Sequence, residues 1–104
     1  MPQGLTLKKD IWINGECIGE SARGVFLYHQ VDGGQEHEVA TESEVSPNTL
    51  KLFTEAGNNY FVEQYIRLGA FVAGANLRHH DEASGMREVS ELSMAASGNC
   101  SSEL

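Results

Sequence analysis

Basic residues are scarce in this chain of 104 residues. Seven lysines and arginines stand against fifteen aspartates and glutamates, a formal net charge of −8. Binding to a phosphate backbone rests on Lys and Arg, so this balance excludes nucleic acid as a direct ligand. It argues in the same way against an anionic membrane surface. Long apolar runs are missing too. The longest candidate, Tyr60 to Leu77, is interrupted by Glu63, Gln64 and Arg67, which excludes a membrane-spanning helix there.

Cysteine is limited to Cys17 and Cys100. With no CxxC pair, a zinc knuckle and a CxxC redox site are both excluded. The opening MPQGLTLKKD has no apolar core of a secretory signal, so the expectation is a cytoplasmic protein with both thiols reduced. The sequence also lacks GxSxG, SxxK, HExxH, a phosphate loop and a dinucleotide fingerprint. Nothing nominates a catalytic set or a cofactor, and the expectation is a protein that is not an enzyme.

What is present suits a globular domain. The apolar fraction of 40% is too high for wholesale disorder, and the length fits one core. We expect one domain over residues 1–97 and a flexible tail over 98–104. Leu5, Leu7, Ile11 and Ile13 share one parity, the pattern of a half-buried strand. Asn14-Gly15 follows, the strongest two-residue hairpin signal. That loop pairs Ile13 with Glu16, Trp12 with Cys17, Ile11 with Ile18 and Lys9 with Glu20. A second β-prone run, Val25 to Val31, turns at Asp32-Gly33-Gly34 and returns over Gln35 to Val45, which predicts a second hairpin.

After Val45 the pattern changes. Ser46-Pro47 offers a cap and a first-turn proline, and Gly57 sits where a helix C-terminal glycine belongs, which predicts a helix between them. Val62, Tyr65, Ile66, Gly69, Val72, Ala73 and Leu77 advance by threes and fours, which predicts a second helix. A third runs from Ser84 or Gly85 to Ala96. In that arrangement Arg78, His79 and His80 end one helix while Asp81 and Glu82 begin the next, as the two helix dipoles favour. The expected fold is therefore α+β: a small antiparallel sheet from two N-terminal hairpins, packed by two or three helices from the C-terminal half. The alternative is a small all-β barrel with a third hairpin at 50–68, supported by the alternation of Leu50, Leu52, Val62 and Ile66.

Three function classes follow. The first is a small acidic protein that binds a macromolecular partner with a basic surface. On an unbroken strand Glu36, Glu38, Glu42 and Glu44 point to one side, with the members of the pairs Glu36/Glu38 and Glu42/Glu44 about 6.8 Å apart. Such a row, with Asp32 near it, is the candidate contact, and one version is an inhibitor that mimics nucleic acid and blocks a basic nucleic-acid-binding protein. The second is an assembly subunit that self-associates as a homo-oligomer. Gly69, Ala70, Ala73 and Gly74 would let a helix face approach a partner closely, at about 1 kcal/mol per glycine of lost helix propensity. The third is a metal-dependent enzyme, which requires His29, His37, His79 and His80 to converge with Asp81 or Glu82. No local spacing fixes such a ligand set.

Overall fold

The computed structural model describes residues 9–42, 47–68, 73–98 and 100. It opens on strand β1 (Lys9–Ile13) and strand β2 (Glu16–Ser21), joined by the expected turn. Asn14 and Gly15 have φ of 53° and 83°. Both are left-handed, as this tight hairpin requires. Ile13 faces Glu16 and Trp12 faces Cys17, as the sequence predicts. A bulge then shifts the register, so Ile11 faces Gly19, Asp10 faces Glu20 and Lys9 faces Ser21. The expected pairs Ile11–Ile18 and Lys9–Glu20 are not made. Gly19 explains the shift. Its φ of 146° suits glycine, and an added Cβ would lie 2.9 Å from Leu27 Cδ2. The extra residue lets Ile18 enter the core, where it is buried.

Strand β3 is only Val25–Phe26. Strand β4 (Gln35–Thr41) pairs antiparallel with β1, and strand β5 (Asn48–Thr54) pairs antiparallel with β4. The result is a four-stranded sheet in the order β2-β1-β4-β5. The expected second hairpin is therefore corrected, because β4 takes β1 and β5 as partners and not the run before it. The helix expected after Pro47 is a strand. Its inward residues alternate with exposed Thr49, Lys51 and Phe53, and pairing with β4 outweighs the local cap signals. Gly57, at φ 83°, belongs to the turn after β5.

The second expected helix is also overturned. Strand β6 (Phe61–Leu68) and strand β7 (Ala73–His80) form an antiparallel hairpin, with Phe61 opposite His80, Glu63 opposite Arg78 and Tyr65 opposite Asn76. The β-branched and aromatic side chains Phe61, Val62, Tyr65 and Ile66 favour a strand, while Gly69 and Gly74 disfavour a helix. The barrel alternative foresaw strands on both sides of Gly57, yet β5 and β6 each pair elsewhere. The fold is mostly β, with small sheets and one helix among the described residues. The α+β arrangement packed by several helices is not formed.

That helix, α1 (Glu82–Val89), starts two residues before the expected Ser84 and stops well short of the expected Ala96, since Ser93–Met94 is a strand. Asp81 is its N-cap, with Oδ1 accepting the Ser84 N–H at 2.7 Å, and Glu82 lies in the first turn. Arg78, His79 and His80 end a strand and not a helix. Gly85 seats α1 directly against Phe61, since a Cβ there would overlap the ring.

The β6–β7 hairpin lies over the inner face of the four-stranded sheet. Gln64 Nε2 donates to Thr41 Oγ1 at 2.7 Å, Asn48 Nδ2 to the Ala75 carbonyl at 2.6 Å, and Ala75 N to the Glu42 carbonyl at 3.0 Å. Between these layers Ile11, Ile18, Val39 and Leu77 form the buried apolar cluster. After α1, strand β8 (Ser93–Met94) pairs in parallel with β3. Beyond it, Gly98 N donates to the Ile18 carbonyl at 2.9 Å, and Cys100 is disulfide-bonded to Cys17. The expectation of two reduced thiols is corrected by that bond. Among the described residues no helix is long and apolar enough to cross a membrane.

Candidate binding groove

The buried cluster is small for two facing layers, and Ile13, Leu27, Leu50 and Val62 pack against it only partly buried. The space they leave is a groove of about 840 Å³. Its floor is the inner face of the sheet, including Ile11, Ile13, Val39 and Leu52. Val62 and Leu77 of the β6–β7 hairpin form one wall, and Phe26 and Leu27 after β2 form another. Val89 and Leu92 close the end beside α1. A concave, mostly apolar space of this size falls in the range that ligand sites occupy.

The charged lining is one-sided. Glu55, Glu63 and Glu88 contribute three carboxylates, against one guanidinium from Arg23. Glu63 is the best anchored of them. Its Oε1 accepts from His80 Nε2 at 2.7 Å and from Arg78 Nε at 3.1 Å. The hydrogen bond from His80 holds the Glu63 carboxyl below its ordinary range, with burial opposing and the Arg78 charge assisting. Arg78 in turn stacks over the Tyr65 ring, 4.5 Å from its centroid. Glu63 therefore stays ionised and fixed at the edge of an apolar space.

The four histidines do not converge. His37 is buried, with Nε2 donating to the Asp32 carbonyl at 2.8 Å and Nδ1 accepting from Asn14 Nδ2 at 2.9 Å. One acceptor and one donor assign it the neutral Nε2–H tautomer. It ties the loop before β4 to the β1–β2 turn. His80 is engaged by Glu63, His79 lies beside the Tyr60 ring, and His29 is exposed. Among the described residues no group of three His, Cys, Asp or Glu is arranged to hold a metal ion.

The acidic residues singled out from the sequence divide. Glu36 and Glu38 are exposed on the outer face of β4, opposite Phe53 and Lys51, and so point away from the groove. Glu42 follows the end of β4 and is half-buried, with Oε1 accepting the Asp10 N–H at 2.7 Å. It does not continue the row. Asp32 is exposed, and its carbonyl accepts from both His37 and Thr54. Glu44 lies outside the described residues, as do Gly69 and Ala70. Ala73 and Gly74 open β7, so these two belong to a strand and not to the expected helix. Sequence reasoning missed the groove-lining Leu27, Leu52, Glu63 and His80. The alternation of Leu50 and Leu52 was the available signal for one of them.

Comparison with known proteins adds a family. A family model described as "Protein of unknown function (DUF2846)" matches residues 3–75. A protein of Haemophilus influenzae bearing the name "Uncharacterized protein" is 48% identical over 94 residues, which covers 90% of this chain and 55% of that relative. The chain thus spans a little over half the length of that relative. No solved structure matches.

Proposed function

The chain belongs to the family of proteins of unknown function DUF2846, and from that premise we propose that it is a non-enzymatic binding module that holds an apolar segment of a basic protein partner in the groove. The observation that carries the reading is the groove itself: about 840 Å³ of mostly apolar lining, with three carboxylates and one guanidinium among its charged groups. A partner strand or loop would bury apolar side chains against Ile13 and Leu52 and set Lys or Arg near Glu55, Glu63 and Glu88. The apolar contacts supply affinity and the acids supply steering. Direct nucleic-acid or membrane partners fit poorly with a chain of net charge −8. A binding role also suits the lining, where His80 is engaged by Glu63.

The test is fluorescence anisotropy with a labelled short peptide of alternating leucine and lysine, set against the same peptide with glutamate for lysine. We expect saturable binding of the first alone, lost in Leu52→Gln and weakened in Glu63→Gln with Glu88→Gln. Equal binding of both peptides, or binding that survives Leu52→Gln, contradicts the groove as the site.

A second reading is favoured by Phe53, which is 58% exposed on the outer face of the edge strand β5. An exposed aromatic with Glu36 opposite it and Glu38 nearby has the anatomy of a protein contact. Loss of binding in Glu36→Lys with Glu38→Lys, while Leu52→Gln binds normally, would favour this outer face. Cytoplasmic location, expected from the N-terminal segment, is less favoured than an oxidising compartment once Cys17 and Cys100 are joined.

A further inference from the structure

The chain after α1 runs back across the molecule as a strap. Ser93 N donates to the Gly24 carbonyl at 3.0 Å, Ala95 N to the Phe26 carbonyl at 2.8 Å, and Gly98 N to the Ile18 carbonyl at 2.9 Å. Strands β3 and β8 contribute two residues each, and a ladder this short is marginal alone. The disulfide closes the strap at its far end, joining residues 83 apart in sequence. Gly19 marks how closely the layers meet, since an added Cβ would lie 2.9 Å from Leu27 Cδ2 and 3.4 Å from the Ala96 carbonyl. Phe26, Leu27 and Leu92, which the strap holds or belongs to, are groove lining.

We infer that the Cys17–Cys100 disulfide is the latch of this strap, that one wall of the groove is held in place only while the latch is closed, and that the chain is built to work in an oxidising compartment. The inference concerns the wall and does not depend on what the groove binds. Closing the latch joins the two sulfurs, releases two protons and passes two electrons to a disulfide oxidant, through a mixed disulfide. A dithiol reverses the step by the same route. Compartments that maintain such oxidants keep structural disulfides, and a reducing cytosol does not.

Hydrogen exchange read by mass spectrometry tests the latch on folded wild-type protein before and after dithiothreitol, and on Cys100→Ser without reductant. Opening the bond should raise exchange at Val25–Leu27 and Ser93–Ala96 about tenfold or more beyond any rise in β4 and β5. Unchanged exchange in the strap overturns the latch. Exchange that rises by the same factor in the strap and in β4 and β5 overturns it as well, because the bond would then act through global stability alone. The compartment is tested by thiol titration of protein exported to an oxidising compartment of an expression host. We expect no free thiol, and two free thiols per chain would overturn the assignment.

Discussion

Asn14 Nδ2 lies 2.9 Å from Nδ1 of His37, a contact that joins the β1–β2 turn to the buried ring on β4. The same Asn14 side chain accepts the Glu38 N–H at 2.9 Å, and its own N–H donates to the Glu38 carbonyl at 2.8 Å. Asn14→Gly keeps the left-handed backbone but removes both side-chain bonds. It leaves Nδ1 of His37, a residue only 6% exposed, without a donor. The expected cost is about 1–3 kcal/mol. Urea denaturation should show a lower midpoint with an unchanged slope, and an unchanged midpoint would contradict this account.

Gly85 and Phe61 define the seat of α1. A Cβ on Gly85 would overlap the ring, with Cδ1 only 2.6 Å away. Gly85→Ala should destabilise by about 1–3 kcal/mol despite its better helix propensity. In the Phe61→Gly background, which removes the Phe61 Cβ together with the ring, the same substitution should cost much less. A double-mutant cycle measures the difference, and additivity would show that the two residues do not meet.

Gly33 approaches the chain after β5 in the same way, but there the neighbour is backbone. A Cβ on it would lie 2.7 Å from Cα of Ala56, which has no rotamer with which to yield. Gly33→Ala should therefore lower thermal stability, again by about 1–3 kcal/mol, with no rescue from truncating nearby side chains. Wild-type stability in this variant would mean that the two loops separate readily.

Acid should act through Glu63. Its carboxyl titrates below the ordinary glutamate range in the folded protein, chiefly because His80 donates to it. A depressed carboxylate contributes its stability in full above the unfolded value and loses it as pH falls through the folded one. Glu63 is 41% exposed, so the contribution stays within about 1 kcal/mol after solvent screening. Thermal melts between neutral pH and about pH 3 should fall less steeply for Glu63→Gln than for wild type. Parallel curves would show that the contacts to His80 and Arg78 carry no stability.

Removing both sulfurs should be costly. The bond joins residues separated by 83 positions, and the chain-entropy relation assigns a loop of that length about 4–5 kcal/mol. Cys17→Ala with Cys100→Ala should lower the melting temperature in non-reducing buffer and match reduced wild type. A double variant as stable as the oxidised protein would remove the bond from any account of folding.

Local chemistry was legible in the sequence where it was decisive. Asn14-Gly15 announced its turn, Trp12 found Cys17, and Asp81 with Glu82 announced a helix start. Misreadings came where partners distant in sequence decide. Val62, Tyr65 and Ile66 fit a helical stripe as well as a strand, and only pairing with His79, Asn76 and Ala75 selects the strand. Gly19 inside β2 was a bulge signal, yet the register shift follows from the approach of Leu27. Glu42 had the right parity for the outer row but lies beyond the last paired residue, Thr41. The groove was not legible at all, because it is the space left between two layers whose stacking no local pattern encodes. Even spacing of acids drew attention to the outer face, while Glu63 and His80 meet only across a hairpin.

Strand β2 stands at the margin of the four-stranded sheet, and Gly98 and Cys100 are fastened to it at Ile18 and Cys17. An uncovered marginal strand offers its amides and carbonyls to any neighbouring molecule and is a common start of aggregation. Gly98 and Cys100 thus also serve colloidal behaviour, by occupying a place where a second copy would otherwise add. Concentrated reduced protein should scatter light before it loses its sheet signal, and the oxidised form should stay clear.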